Sequence, residues 1–261
     1  MKKLVSLLTV VALIAALFSV TGCQKPESDK KVLKVYTSAG FPPYEYLDSE
    51  GNVTGVDIDV VNYIAKELGY EVELNDVRFD EILNYVQNDV MAVGAAGMTK
   101  KPDRDEVALA SSIYATSIQY VIAEAGAFAD GATVTADDLL AFAEGKGKGI
   151  GAQIGTTGLD FITGVLEGSE NLSALDYANA IIASNDIGTS ISAVVVDKLP
   201  AESICAGNDK LSCWQLDADV ESYVMYFNLK ATDLVAKVNA LLEKMIQDGT
   251  IDQFVINHSN N

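Results

Sequence analysis

Between residues 32 and 96, short apolar runs alternate with amphipathic helical stretches, and that order restricts the fold more than anything else in the sequence. Residues 32–37 read as a strand. Residues 55–69 set Val60, Val61, Ile64, Ala65 and Leu68 at helical spacing and end on Gly69, which suits a helix stop. Residues 71–74 alternate as a second strand, residues 79–86 repeat the helical pattern, and the apolar run 90–96 supplies a third strand. Strands separated by helices do not pair as hairpins, so an open, mainly parallel α/β sheet is the economical architecture. Ligands of such sheets sit at the carboxyl ends of strands, where Thr37-Ser38 and Gly97-Met98-Thr99 both fall.

The segment from Gly97 to Arg104 joins a glycine, a hydroxyl and a guanidinium where the third strand gives way to a helix. Arg78 and Arg104 are the chain's only arginines. A fork of N–H donors at a strand end suits a bound carboxylate. A solvated turn carrying cations is the other reading of these residues alone.

Further along, residues 118–122 read as a strand crossing to a second lobe, and Thr135 caps a helix with acids in its first turn. The glycine-rich residues 145–149 lack the Lys-Ser/Thr pair of a phosphate loop. Residues 150–154 form a short strand, after which Gly155-Thr156-Thr157-Gly158 opens a helix. Its free N–H groups and hydroxyls make either an anion cradle or a simple N-cap. Residues 191–197 are a buried strand ending in Asp197, an acid at a position where it can serve as a mere cap. Residues 223–227 are the return strand, residues 232–248 an amphipathic helix stopped by Gly249, and residues 250–255 a short final helix.

Acids outnumber Lys and Arg by 37 to 18, and a formal charge of −19 argues against nucleic acid or an anionic membrane surface as partner. Lys2, Lys3 and the apolar run 4–20 have the layout of a secretory signal. Val20-Thr21-Gly22-Cys23 looks like a lipobox, so residues 1–22 are expected to be a signal peptide, Cys23 the lipidated residue, and residues 23–31 a polar tether. Outside the cytoplasm, the remaining cysteines, Cys205 and Cys213, point to a disulfide more than to a redox or metal site, although spacing does not prove bonding. The sole histidine, His258, stands in the tail, so neither a metal cluster nor a Ser-His or Cys-His pair is expected, and no cofactor.

The segments PPYEY and GVDIDV, then GMTKKPDR, then Ser111-Ser112-Ile113-Tyr114, resemble in order and spacing the amino-acid-binding family (family 3) of extracellular solute-binding lipoproteins of bacterial ABC transporters. Val56 departs from the pattern, which usually has an aromatic there. The resemblance implies a two-lobe, type II periplasmic-binding fold with two connecting strands, lobe 1 being residues 32–120 with 224–261 and lobe 2 residues 121–223. It implies that Arg104 grips a ligand α-carboxylate, supported by Gly97, Thr99 and the Thr157 backbone, and that Asp197 pairs with the α-ammonium. Phe41 and Phe79 match positions flanking the ligand side chain, with core packing as the alternative. Ser38 and Gln153 match positions that vary with ligand class. Many relatives carry an acid at the Ser38 position, so a polar uncharged or small amino acid is preferred here. The implied partners are the free amino acid and a membrane permease, with a monomer attached to the membrane only through its lipid. Lys100 and Lys101 are expected in solvent, and Trp214 under a loop. A two-lobe enzyme such as a dehydratase, with Glu45 or Asp197 as base, and a ligand-sensing receptor domain are the competing classes. No second membrane span follows residue 254 to favour the receptor.

Overall fold

Residues 31–259 are described by the computed structural model, so the expected signal peptide, the Cys23 lipid site and the tether up to residue 30 lie outside the described residues. Strand β1 (Lys31–Thr37) alternates, burying Leu33, Val35 and Thr37. A small hairpin, β2 (Tyr46–Leu47) and β3 (Val53–Thr54), follows and turns on Asp48, whose carboxylate accepts from the N–H groups of Glu50 and Asn52. Helix α1 (Val56–Leu68) buries the apolar stripe read from the sequence and ends at Gly69, where φ of 74° supplies the left-handed stop. Then come β4 (Tyr70–Asp76), a 3₁₀ turn at Phe79–Glu81, α2 (Ile82–Asn88), β5 (Ala92–Gly94), the four-residue α3 (Pro102–Asp105) and β6 (Leu109–Ala110).

The chain leaves this region through β7 (Ala115–Ser117) and enters β8 (Gln119–Glu124), β9 (Thr133–Val134), α4 (Ala136–Lys146), β10 (Gly149–Gln153) and α5 (Thr157–Val165). It continues with β11 (Ala174–Tyr177), α6 (Ala180–Ser184), β12 (Ile191–Asp197), α7 (Lys198–Ala206) and β13 (Leu211–Leu216). It returns through β14 (Glu221–Tyr223) to β15 (Tyr226–Phe227) and finishes with α8 (Thr232–Gln247) and α9 (Thr250–Ser259).

Two sheets result. The first has the order β4-β1-β5-β15-β6, with β1 and β5 parallel and β15 antiparallel to both its neighbours. The second has the order β11-β10-β12-β8-β13-β9, with β10 parallel to β11 and β12, and β8 antiparallel to β12 and β13. The mixed α/β architecture with two sheets is that of the two-lobe type II fold.

The crossings differ from expectation. Residues 118–122 do not cross: Val121, Ile122 and Ala123 are fully buried because β8 lies inside the second sheet, covered on both faces. The crossing is a separate antiparallel ladder of β7 with β14, pairing Ser117 with Glu221 and Ala115 with Tyr223. Nor are Cys205 and Cys213 bonded in the structure: they are free thiols within hydrogen-bonding reach of each other. Trp214 packs as expected, edge-on to Phe128 and donating from Nε1 to the Ala129 carbonyl at 3.0 Å. Among the described residues no helix is long and apolar enough to cross a membrane.

Candidate functional site

The strand ends of both sheets meet at a small cavity. Its first wall is the turn after β5. At Gly97 the backbone takes φ of 52°, and a Cβ there would come within 2.7 Å of the Phe41 ring, so only glycine lets the ring lie against the chain. The Gly97 N–H donates to Asp57 Oδ2 at 2.8 Å, and the Tyr114 hydroxyl donates to Asp57 Oδ1 at 2.7 Å. Asp57 therefore anchors the turn from below. Burial pushes its carboxyl up to about 6, and the two donors hold it lower than burial alone would. Sequence reading missed Asp57, which stands in the first turn of α1, where acids ordinarily complement the helix N-terminus.

Arg104 crosses the cleft. It is 5% exposed, donating from Nη1 to the Thr99 carbonyl at 2.7 Å and from Nη2 to the Gly155 carbonyl, beyond β10, at 3.0 Å. Its Cζ lies 5.3 Å from the Phe79 ring centroid. Burial works against the charge, yet guanidinium stays protonated in proteins. Among the described residues no carboxylate forms an ion pair with it.

The second wall begins at Gln153, the last residue of β10, buried beside the cavity. Thr156 caps α5, its Oγ1 accepting from the Leu159 N–H at 3.3 Å. Thr157, the first helical residue, lines the cavity, and its N–H has no acceptor within the helix. The cap and a helix-terminal N–H free of any intrahelical acceptor are thus carried by adjacent threonines.

Asp197 ends β12 at the same cavity and is 7% exposed. It occupies the N-cap position of α7 without making a capping hydrogen bond, and its Oδ1 is buried without a partner. Burial first, and the Glu221 carboxylate second, push its pKa up to about 7, while the Tyr223 and Ser117 hydroxyls hold it lower than burial alone would. A carboxylate held this way calls for a cation.

Phe41 and Phe79 also line the cavity while belonging to the hydrophobic core. Ser38, expected at the ligand, does not line it: it is buried just past β1, where the neighbouring Ala39 N–H is tied to Asp76 Oδ1 at 2.8 Å. Lys101, expected in solvent, reaches across the cleft to Asp160 Oδ2 on α5 at 2.6 Å, while Lys100 pairs with Asp105. Neither lysine lines the cavity. His258 is held by Tyr46 at 3.0 Å and Asp59 at 2.9 Å, away from the cavity, and fastens α9 to α1.

Two lobes meeting around a buried guanidinium, a helix N-terminus and a buried acid define a binding protein of the type II fold. The chain belongs to the bacterial extracellular solute-binding proteins, family 3, whose family model matches residues 33–258. Among its relatives, the arginine-binding extracellular protein ArtP of Bacillus subtilis (strain 168) is 26% identical, covering 95% of this chain and 94% of ArtP. The L-cystine-binding protein TcyJ of Escherichia coli (strain K12) is 25% identical over 92% of this chain and 89% of its own. A solved structure of an ancestral arginine-binding protein bound to glutamine is 29% identical with a TM-score of 0.75, covering 88% of this chain and 98% of that one. By their names these relatives bind arginine or L-cystine, and the solved neighbour holds glutamine.

Proposed function

We propose that this protein is the lipid-anchored, extracytoplasmic binding component of an ABC importer. It closes the two lobes built on its two sheets, joined through β7 and β14, on a small or polar uncharged α-amino acid and hands it to the permease. One observation carries the reading: Arg104 is a buried guanidinium lining the cavity, hydrogen-bonded to two carbonyls and packed on a ring, and among the described residues no carboxylate forms an ion pair with it. A ligand carboxylate would complete it, assisted by the Thr157 N–H. Asp197, with a buried unpartnered oxygen at the same cavity, is the complement for the α-ammonium. Each charge-assisted contact contributes roughly 1.5–3 kcal/mol, so a zwitterion gripped from both lobes reaches about micromolar affinity once ordering costs are met.

The uncharged preference rests on the lining. Among the described residues, Asp197 is the one carboxylate at the cavity, and it is committed to the ammonium. A cationic side chain would need a second acid there, and Gln153 supplies an amide instead. The proposed chemistry is binding without turnover by a monomer, and membrane attachment is through Cys23 alone.

Thermal-shift screening against the common L-amino acids tests this. A small or polar uncharged amino acid should raise the melting temperature most, corresponding to about 2.7 kcal/mol at a hundred times Kd. Arginine giving the largest shift would overturn the uncharged preference, and no shift with any of them would overturn the function. Cys23→Ala should release the protein from membranes into the soluble fraction; continued partitioning would rule out the lipid anchor.

A further inference from the structure

Glu221 sits in β14, in a run with Asp217 and Asp219 that reads from sequence as a solvated acidic face. It is instead 7% exposed, and among the described residues no lysine or arginine forms an ion pair with it. Its oxygens accept from a side chain beyond β5 of the first sheet and from one on β8 of the second. Oε2 accepts from the Thr99 hydroxyl, and Oε1 accepts from Gln119 Nε2 at 2.6 Å. The same Gln119 nitrogen donates to Thr157 Oγ1 at 3.2 Å, while Gln119 Oε1 is buried without a partner.

This wiring fixes where protons point. Thr99 has given its single O–H proton to Glu221, so toward the cavity its oxygen is an acceptor. Thr157 receives from Gln119, so its own hydroxyl proton stays free to donate. An ammonium wants acceptors and a carboxylate wants donors, and Thr99 and Thr157 both line the cavity.

We propose that Glu221 is a positioning residue of this site. By accepting from Thr99 and Gln119 it sets the Thr99 oxygen as an acceptor for the ligand ammonium and leaves Thr157 its proton for the ligand carboxylate, so the site demands a free, protonated α-amino group. The inference rests on reading the cavity as an α-amino-acid site.

A proton balance follows. Glu221 and Asp197 are two buried acids near one guanidinium, and the other groups facing Asp197, namely Tyr44, Glu45 and Tyr223, add no cation. With its carboxyl pushed up to about 7, Asp197 holds a proton for much of the time below neutrality and must release it to the buffer when an ammonium arrives.

The experiment takes the common L-amino acid giving the largest thermal shift, together with its α-hydroxy-acid analogue, and titrates each calorimetrically into wild type and Glu221→Gln. Done at about pH 6 in buffers of low and high ionisation enthalpy, it also counts protons released. Wild type should release a fraction of a proton and reject the hydroxy acid. In Glu221→Gln the new amide accepts from Gln119 and donates to Thr99, turning the Thr99 proton toward the ligand. The amino-to-hydroxy affinity ratio should then fall by about tenfold or more, with less proton release. Loss of packing alone would weaken both ligands alike and leave the ratio standing. Should Glu221→Gln not fold, Thr99→Val carries the same ratio test. If an amino acid binds but the ratio and proton release stay within about twofold of wild type, the role of Glu221 is overturned and the amino-acid site stands. If no common amino acid binds wild type, the amino-acid reading fails and this inference with it.

Discussion

A guanidinium taken out of water costs several kcal/mol unless acceptors or an anion meet it, and Arg104 meets two carbonyls and the face of Phe79. It was legible in the sequence because arginine is rare in this chain and stood where an apolar strand ended. Asp197 was legible for a related reason, a charge closing a strand that is apolar but for Ser192. Asp57 and Glu221 were not: one sits where helix N-termini ordinarily carry acids, the other among acids that ordinarily face solvent, and only tertiary burial separates them from that background. Ser38 shows the converse, a buried strand-end position that does not line the cavity. Gly97 is the sharpest single-residue test, since alanine would meet both a positive φ and the Phe41 ring at 2.7 Å. Gly97→Ala should lower stability by about 1–3 kcal/mol in chemical denaturation and weaken amino-acid binding. A stability within about 0.5 kcal/mol of wild type would show the turn to be relaxed.

Among the elements, those with strong periodicity were foreseeable and those shaped by neighbours were not. The stripe of α1 and its Gly69 stop, and the Thr135 capping box of α4, follow from local chemistry. The run 90–96 was read as one strand, but only Ala92–Gly94 pairs, because the chain must bend to bring Gly97 onto Asp57. The crossing ladder escaped notice because two three-residue strands carry almost no pattern of their own. Lys101, carried to the cleft just ahead of α3, and Asp160 of α5 join the two lobes at 2.6 Å, with the lysine side chain 24% and the aspartate 64% exposed. Screened by that exposure, the pair contributes at most about 1 kcal/mol to closure. Lys101→Met should therefore raise the ligand dissociation rate by up to about fivefold, with a smaller effect at high salt. Stopped-flow release measurements check this, and an effect of about a hundredfold would place Lys101 in the site itself.

For the molecule as a whole, the alternation of strands and helices was enough to foresee α/β lobes, while the way the lobes share a cavity came from their packing. Its buried acids give it an unusual pH response. Asp57 at about 6 and Asp197 at about 7 both lie above the ordinary Asp value, and burial holds Glu45 well above the Glu range. Each binds its proton more tightly folded than unfolded, so the stabilisation is fully present below the unfolded pKa, near 4, and is lost as pH rises through about 6 to 7. The ligand-free protein should melt higher at about pH 5 than at about pH 8, by an amount on the order of a few kcal/mol. Relief of repulsion in a chain of formal charge −19 acts in the same direction. A flat melting profile, or one rising toward alkaline pH, would contradict the buried-acid account. Amino-acid affinity should move the other way, strengthening toward neutrality as Asp197 ionises.

The central claim is that Arg104 receives the carboxylate of an amino acid, and calorimetric titration of the best-binding amino acid into Arg104→Met tests it directly. The account expects affinity to fall by about 100-fold or more, while the ligand-free variant melts no lower than wild type because a buried charge has been replaced by an apolar side chain. Binding that stays within a few-fold of wild type would mean the guanidinium serves the fold alone, and that the carboxylate is held elsewhere.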